Sequence, residues 1–350
     1  MTAGSTLDRI DRATPSLAEQ RSAVTAWLAG AEPGLREARR NAAGSLEAEM
    51  VYNRALCAQL WDVGFTRWGW PEAAGGYGGP AVLRAVVAEE LSLRGLVHQN
   101  IFTMPEILGA GFVLSATPDL VGTYLERYLT GEEWWCQGFS EPDAGSDLAN
   151  LGTRAVRHGD TFIVNGQKVW TTLAQFAQRC VLLTRTGPSD SAHRGITALL
   201  VDMDTPGVTV RPLRGMNGDD EFSECFFDGV EVPGDRVIGE LNGGWKVAMQ
   251  ILAFERATIF WARAAWLQHR LTQLLAVAGS GHDSAALLGH GGARRVRLDG
   301  VARGGERGGG AAGVRAPRGE RGNGTGAVGR HVAGPRITAE GRDGSDPPDR

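Results

Sequence analysis

The chain has 350 residues, a formal net charge of −4, and 42% hydrophobic against 22% charged residues, enough for two or three domains with a sizeable core. No apolar run approaches the roughly 20 residues of a membrane-spanning helix, and no basic start leads into an apolar stretch as in a secretory signal. The four cysteines, Cys57, Cys136, Cys180 and Cys225, form no close pair of the kind that marks a disulfide framework or a cysteine metal site, so the expectation is a globular cytoplasmic protein with no metal and no membrane partner.

Residues 1–130 read as a helical domain. Ser16–Leu28 and Gly34–Val63 carry spaced apolar positions, among them Ala48, Val51, Leu56 and Leu60, as helices that bury one face do. From Trp70 to Pro80 repeated Gly and Pro break every period and predict a loop. Pro80–Leu93 resumes as a helix with Pro near its start, and Met104–Leu114 and Asp119–Tyr128 predict two more. Residues 131–240 read as a central β-domain, a barrel or sandwich of regularly spaced strands. Thr153–Val156, Thr161–Val164 and Gln167–Thr172 are separated by His158-Gly159-Asp160 and by Asn165-Gly166, the second a hairpin signal. Cys180–Thr184, Ile196–Asp202, Val208–Pro212 and Cys225–Val232 continue the series. After Asn242, a predicted N-cap, Trp245–Val277 runs without Gly or Pro, so 241–280 reads as the start of a second helical domain.

From Gly281 to Arg350 the texture changes. The stretch holds 19 Gly, 12 Arg, 10 Ala and 4 Pro, no aromatic residue, and a net charge of +4. So little apolar surface cannot offset chain entropy, and 281–350 reads as a disordered tail. Arg303-Gly304-Gly305 and Arg307-Gly308-Gly309 resemble RGG repeats that bind nucleic acid. True RGG tracts interleave aromatics, whereas Gly, Arg, Ala and Pro are what GC-rich codons yield out of frame, so nucleic acid is not an expected partner.

The most specific segment is Gly138-Phe139-Ser140-Glu141-Pro142-Asp143-Ala144-Gly145-Ser146-Asp147. Small residues and hydroxyls in a tight loop expose backbone N–H groups to a phosphate-bearing or polar-edged ligand; an ordinary Ser/Asp/Gly turn is the alternative. Farther on, Lys168-Val169-Trp170-Thr171-Thr172 places an aromatic among hydroxyls. Such an aromatic covers a flat ring while hydroxyls bond its polar edge, unless Trp170 is simply core.

With these motifs on the page, residues 15–278 resemble the acyl-CoA dehydrogenase family. The resemblance rests on the ordered set WPEAAGGYGGP, GFSEPDAGSD, NGQKVWTT, FFDGVEVPGDRVIG and LAFERA. It implies an α+β fold with an N-terminal helical domain, a central β-domain and a C-terminal helical domain that is truncated here, and FAD as cofactor. The implied flavin-lining residues are Gln137, Gly138, Phe139, Ser140, Gly145 and Ser146, with Ser140 on the pyrimidine edge and Ser146 near the pyrophosphate and the acyl-CoA. Trp170 would pack on the ring, Thr172 would reach its N5/O4 edge, and Thr171 lies in the same strand.

The implied reaction is α,β-dehydrogenation of an acyl-CoA thioester: a carboxylate removes the α-proton and the β-hydrogen leaves as hydride. Most of the family carries the base in C-terminal helices, and Glu306, Glu320 and Glu340 have no family-like context. A branched- or long-chain subset has it in an L-x-x-E-R pattern at the start of the long helix, which makes Glu255 the candidate base and Arg256 a substrate or structural contact. An electron-transfer flavoprotein is the implied electron acceptor, in a homo- or hetero-oligomer. Absent C-terminal helices would leave Leu252, Ile259, Phe260, Trp266 and Leu271 uncovered, so the competing reading is a non-catalytic or truncated chain that needs a partner subunit. A flavin oxidase or monooxygenase of the same fold is a further alternative.

Overall fold

The first helix begins where the chain can cap it. The Ser16 hydroxyl accepts from the Glu19 amide at 3.2 Å, and the Ser16 amide donates to the Glu19 carboxylate at 2.7 Å, a reciprocal box that starts α1 (Leu17–Ala42). A computed structural model describes residues 13–216 and 218–280, with side chains except at 258–261 and 277–280; the Gly/Arg-rich segment 281–350 lies outside the described residues. The sequence pattern predicts a break before Gly34, but α1 passes through Pro33 and ends nine residues farther on. Val24, Leu28 and Leu35 are all buried, and that packing holds the helix together across the proline. The break falls at Gly44, whose φ of +92° suits glycine, and Ser45 caps α2 (Leu46–Asp62).

α3 (Val82–Leu93) completes a first core with Leu28, Leu56, Leu60, Val87 and Leu91. The next helix starts five residues before its predicted position. It runs as α4 (Gln99–Met104), a π-helical stretch at Pro105–Gly109, and α5 (Ala110–Ser115). Pro105 lacks the N–H an α-helix would use, and the wider π turn accommodates the gap. α6 (Pro118–Leu129) is capped by Thr117.

Among the described residues eight strands follow: β1 (Trp135–Gly138), β2 (Arg154–His158), β3 (Thr161–Thr172), β4 (Arg179–Arg185), β5 (Ile196–Asp202), β6 (Val208–Leu213), β7 (Phe222–Pro233) and β8 (Val237–Ile238). They form one sheet in the order β6-β7-β3-β2-β4-β5-β8, with β1 laid parallel on β4. Asn165-Gly166 is not a hairpin. β3 runs straight through it with a register shift against β7 between Val164 and Gly166, and the hairpin sits at His158–Thr161. A side chain at 166 would collide with the Thr153 backbone 2.6 Å away, so this glycine serves a close strand approach, and Asn165 is held by its Oδ1 accepting from the Gly229 amide at 2.8 Å.

α7 (Gly244–Ser280) crosses back over the helical layer. Asn242 does not cap it. With φ +63°, Asn242 instead ties the helix start to the sheet, its Oδ1 accepting from Thr186 at 2.7 Å and its N–H donating to Thr197 at 2.8 Å. The core under α7 joins helices to sheet: Trp135 stacks on Tyr128 at 4.6 Å and meets the edge of Phe112 at 4.9 Å, with Val181, Leu200, Val247 and Ile251 around them. Gly111 lets α5 and α7 touch, since a Cβ there would lie 2.3 Å from the Ile251 side chain. Gly111→Ala is therefore expected to cost about 1–3 kcal/mol through overpacking, read as a lower urea midpoint at unchanged m-value. Among the described residues no helix is long and apolar enough to cross a membrane, and no cluster of three His, Cys, Asp or Glu could hold a metal.

Candidate active site

β1 delivers the chain into the Ser140 loop, and a buried ion pair fixes that loop on β3. Glu141 and Ala144 exchange backbone hydrogen bonds at 3.0 and 3.2 Å, closing a tight turn. The Glu141 carboxylate accepts from the Gly152 amide at 2.6 Å, the Thr153 amide at 2.9 Å and the Lys168 ammonium at 2.8 Å. Lys168, wholly buried, donates also to the Phe139 carbonyl at 3.0 Å. Burial alone would raise the Glu141 pKa, but the Lys168 charge and these donors outweigh it and hold the carboxyl below its usual range. The last tie is Val169 N–H to the Ser140 carbonyl at 2.9 Å, which sets Ser140 beside the residue that follows.

That residue is Trp170, at a second irregularity of β3 between Lys168 and Thr171. Its φ of +58° turns the indole out of the sheet, where it is 63% exposed with its edge against Phe222 at 6.0 Å. It is not a core tryptophan. The same irregularity sends Thr171 inward, buried beside Cys225, whose thiol burial pushes up to about 12, and leaves Thr172 at the surface of the cavity.

The cavity measures about 290 Å³ between the sheet and the helical layer. Gln137, Phe139, Ser140, Trp170, Thr172 and Glu255 line it together, although they lie up to 118 positions apart. Glu255 reaches it from α7, half-buried and, among the described residues, without an ion-pair partner. Other proposed residues lie outside it. Gly138 is a packing glycine, since a Cβ would meet the Cys180 sulfur and Leu182 at 2.8 Å, while Gly145, Ser146 and Arg256 are exposed. The sequence reading missed one whole wall: Asn100, Thr103, Met104 and Ile107 from α4 and its continuation, facing Glu221 and Phe222. Asn100 donates to the Glu221 carboxylate and so links that helix to the start of β7. Arg263 of α7 is the remaining charge at the rim.

These donors suit a flat aromatic ring with polar edges. The open indole offers a face, and the part-exposed hydroxyls of Ser140 and Thr172 line the same cavity, where they can donate to or accept from a polar ring edge. The cavity, walled by an α-helical layer and a strand bulge, thus brings an open indole, two hydroxyls and two carboxylates, Glu221 and Glu255, onto one space.

Comparison with known proteins identifies the family. Residues 33–132 match the acyl-CoA dehydrogenase N-terminal domain and residues 136–230 match its middle domain. The chain belongs to the acyl-CoA dehydrogenase family, a family of flavoprotein oxidoreductases. It is similar to acyl-CoA dehydrogenase IpdE1 of Mycobacterium tuberculosis, 38% identical over 244 residues, which cover 68% of this chain and 62% of that protein. Acyl-CoA dehydrogenase FadE34 of the same organism is 40% identical over 224 residues, 63% of this chain and 30% of its own length. Among solved structures, the Tcur3481-Tcur3483 steroid ACAD superposes with TM-score 0.62 at 30% identity, over 79% of this chain and 69% of that one. The ChsE4-ChsE5 complex of Mycobacterium tuberculosis gives TM-score 0.57 at 33% identity, over 71% and 61%. The chain thus spans less than two thirds of both curated relatives.

Proposed function

We propose that this chain holds the isoalloxazine ring of FAD at the 290 Å³ cavity and that Glu255 takes the α-proton of an acyl-CoA thioester beside it. The observation that carries the reading is the convergence of the Glu255 carboxylate from α7 with Ser140, Trp170 and Thr172 on one cavity. Trp170 covers the ring, while the Ser140 and Thr172 hydroxyls hold its polar edges. Bound there, FAD supplies the acceptor for the β-hydrogen, which leaves as hydride. Met104, Ile107, Phe139 and Phe222 add apolar lining to the same cavity, and with the ring in place they would limit the water around Glu255, which favours proton abstraction from carbon. Ser146 and Arg256, exposed outside the cavity, are left to the CoA end of the thioester.

The test is a visible spectrum of the purified chain, with and without an acyl-CoA under anaerobic conditions. Flavin absorbance that bleaches on mixing is the expected result, and oxygen uptake during turnover would move the assignment to an oxidase. Trp170→Ala should weaken flavin binding about tenfold, the order of one aromatic stacking contact, and leave the unfolding midpoint in place because the ring is not core. Equal flavin content in both proteins would remove Trp170 from the site.

A second reading has its own observation. On the far half of α7, Trp266, Leu267, Leu271 and Leu274 are exposed, and the last three repeat at helical spacing. Leu252, in contrast, is partly covered. Such a stripe suits a chain that functions in a complex whose partner subunit covers it. Two of the similar structures bear the names of two-component assemblies. A flavin-free chain that gains flavin only on co-expression with a second family member would favour this reading.

A further inference from the structure

After Thr172 the chain bends at Leu173, whose φ is +56°, into a short 3₁₀ turn at Ala174–Phe176. Trp170 has φ +58°, so left-handed backbone brackets the two threonines of the site. A non-glycine residue keeps such a conformation only where its surroundings hold it there. Leu173 is held by its side chain, which is fully buried, and by its N–H, which donates to the Glu221 carbonyl at 2.7 Å. Trp170 is exposed, and the ring it leans on is Phe222, edge-on at 6.0 Å.

Phe222 is fixed in turn by a side chain from the 3₁₀ turn. The Gln175 amide spans the start of β7: its Nε2 donates to the Asp220 carbonyl at 2.5 Å, and its Oε1 accepts from the Ser223 hydroxyl at 2.8 Å. Glu221 and Phe222, the two residues between, both wall the reaction cavity. In the ladder Ser223 stands opposite Thr171 and Phe222 opposite Thr172. The clamp therefore sets the β7 side of the register at the irregularity that turns Trp170 outward. Gln175 itself is not part of the wall; it faces a separate hollow of about 330 Å³ with Met50, Arg54 and Phe176. Both ends of the carboxamide are used, and glutamine supplies a donor and an acceptor on one side chain.

We propose that Gln175 is a positioning residue of the reaction cavity: by holding Asp220 and Ser223 on one side chain it fixes Phe222, and through Phe222 it keeps the Trp170 indole in place for the ring it covers. The inference rests on the flavin reading and adds to it a residue that reaches the flavin only through others. Without the clamp Phe222 shifts and the indole samples further rotamers. A ring that binds must then order the indole, which weakens binding about fivefold, the cost of immobilising one large side chain. Asn100 and the Leu173 N–H still hold Glu221, so the start of β7 stays docked and the loss falls on Phe222.

Near-ultraviolet circular dichroism of the full chain freed of flavin tests this, with the Trp170 contribution taken as the difference between each protein and its Trp170→Phe counterpart. Gln175→Met is expected to lower that contribution and to weaken FAD binding about fivefold. Ser223→Ala, which removes one of the two bonds, should act in the same direction, and the double variant should be no worse than Gln175→Met alone because both act through one clamp. Gln175→Glu, which keeps the length but cannot donate to the Asp220 carbonyl, makes the same test if the methionine prevents folding. An unchanged Trp170 signal in the folded variant overturns the inference whatever its urea midpoint, since Gln175 then serves stability alone. Additive losses in the double variant overturn it too. If the unsubstituted chain binds no FAD while Gln175→Met still lowers the Trp170 signal, the flavin reading falls and the hold of Gln175 on Trp170 stands.

Discussion

Lys168→Met is expected to destabilise the protein by about 3–5 kcal/mol, because it leaves the Glu141 carboxylate buried without its counter-charge. Met fills most of the lysine volume, so the loss reports the charge rather than a cavity. The sign of the pH dependence separates this cause from a packing defect. In the wild type the folded-state pKa of Glu141 lies below its ordinary value. Its contribution is therefore fully present above the unfolded pKa, near 4.3, and is lost as pH falls through the lower folded value. Without Lys168 the burial that opposes ionisation is met only by the Gly152 and Thr153 amides, and the folded pKa moves up. The variant should then recover part of its deficit as pH falls through that raised value, while the wild type weakens. Urea denaturation at several pH values reads both curves, and a deficit independent of pH would show that Lys168 acts by packing alone. The site should suffer as well. Lys168 also holds the Phe139 carbonyl, so the loop bearing Ser140 loses two of its ties to β3, and flavin content should fall in protein that still folds.

How much of this site the sequence discloses depends on whether neighbours along the chain are neighbours in space. The Ser140 loop and the Trp170 segment are legible because each is a compact motif with unusual residues: hydroxyls, small residues, an aromatic between hydroxyls. The ion pair joining them is not, since Glu141 and Lys168 lie 27 positions apart and a single Lys on a strand reads as an ordinary surface charge. The α4 wall was missed for a different reason. Asn100, Thr103, Met104 and Ile107 have plain helical spacing, and nothing local says whether that face meets a core or a cavity; the docking of α7 and β7 decides it. Secondary structure errs where packing overrides a local rule, as in the continuation of α1 through Pro33, and where one signal has two meanings. Asn165-Gly166 carries the residues of a hairpin, yet the close approach of Thr153 is an equally good reason for a glycine.

Glu255→Gln should abolish most turnover and leave flavin binding and stability unchanged. The substitution keeps the volume and the polarity of the side chain and removes its ability to accept a proton. General base catalysis contributes about 10²–10⁴ to rate, and a thioester α-carbon, a weak acid, calls for the upper part of that range. Many helix-surface glutamates are held by a neighbouring cation. Glu255 has no such partner among the described residues, so no ion pair is broken and unfolding should be unaffected. Stopped-flow reduction of the flavin by an acyl-CoA isolates the chemical step from later electron transfer, and the loss should fall on the reduction rate rather than on the thioester Kd. The cavity holds one rival. Glu221 also lines it, but it sits just before β7 with its carboxylate occupied by the Asn100 amide. If Glu221→Gln stops flavin reduction while Glu255→Gln does not, the base belongs to the β7 wall. The thioester would then lie with its α-carbon toward the sheet instead of toward α7.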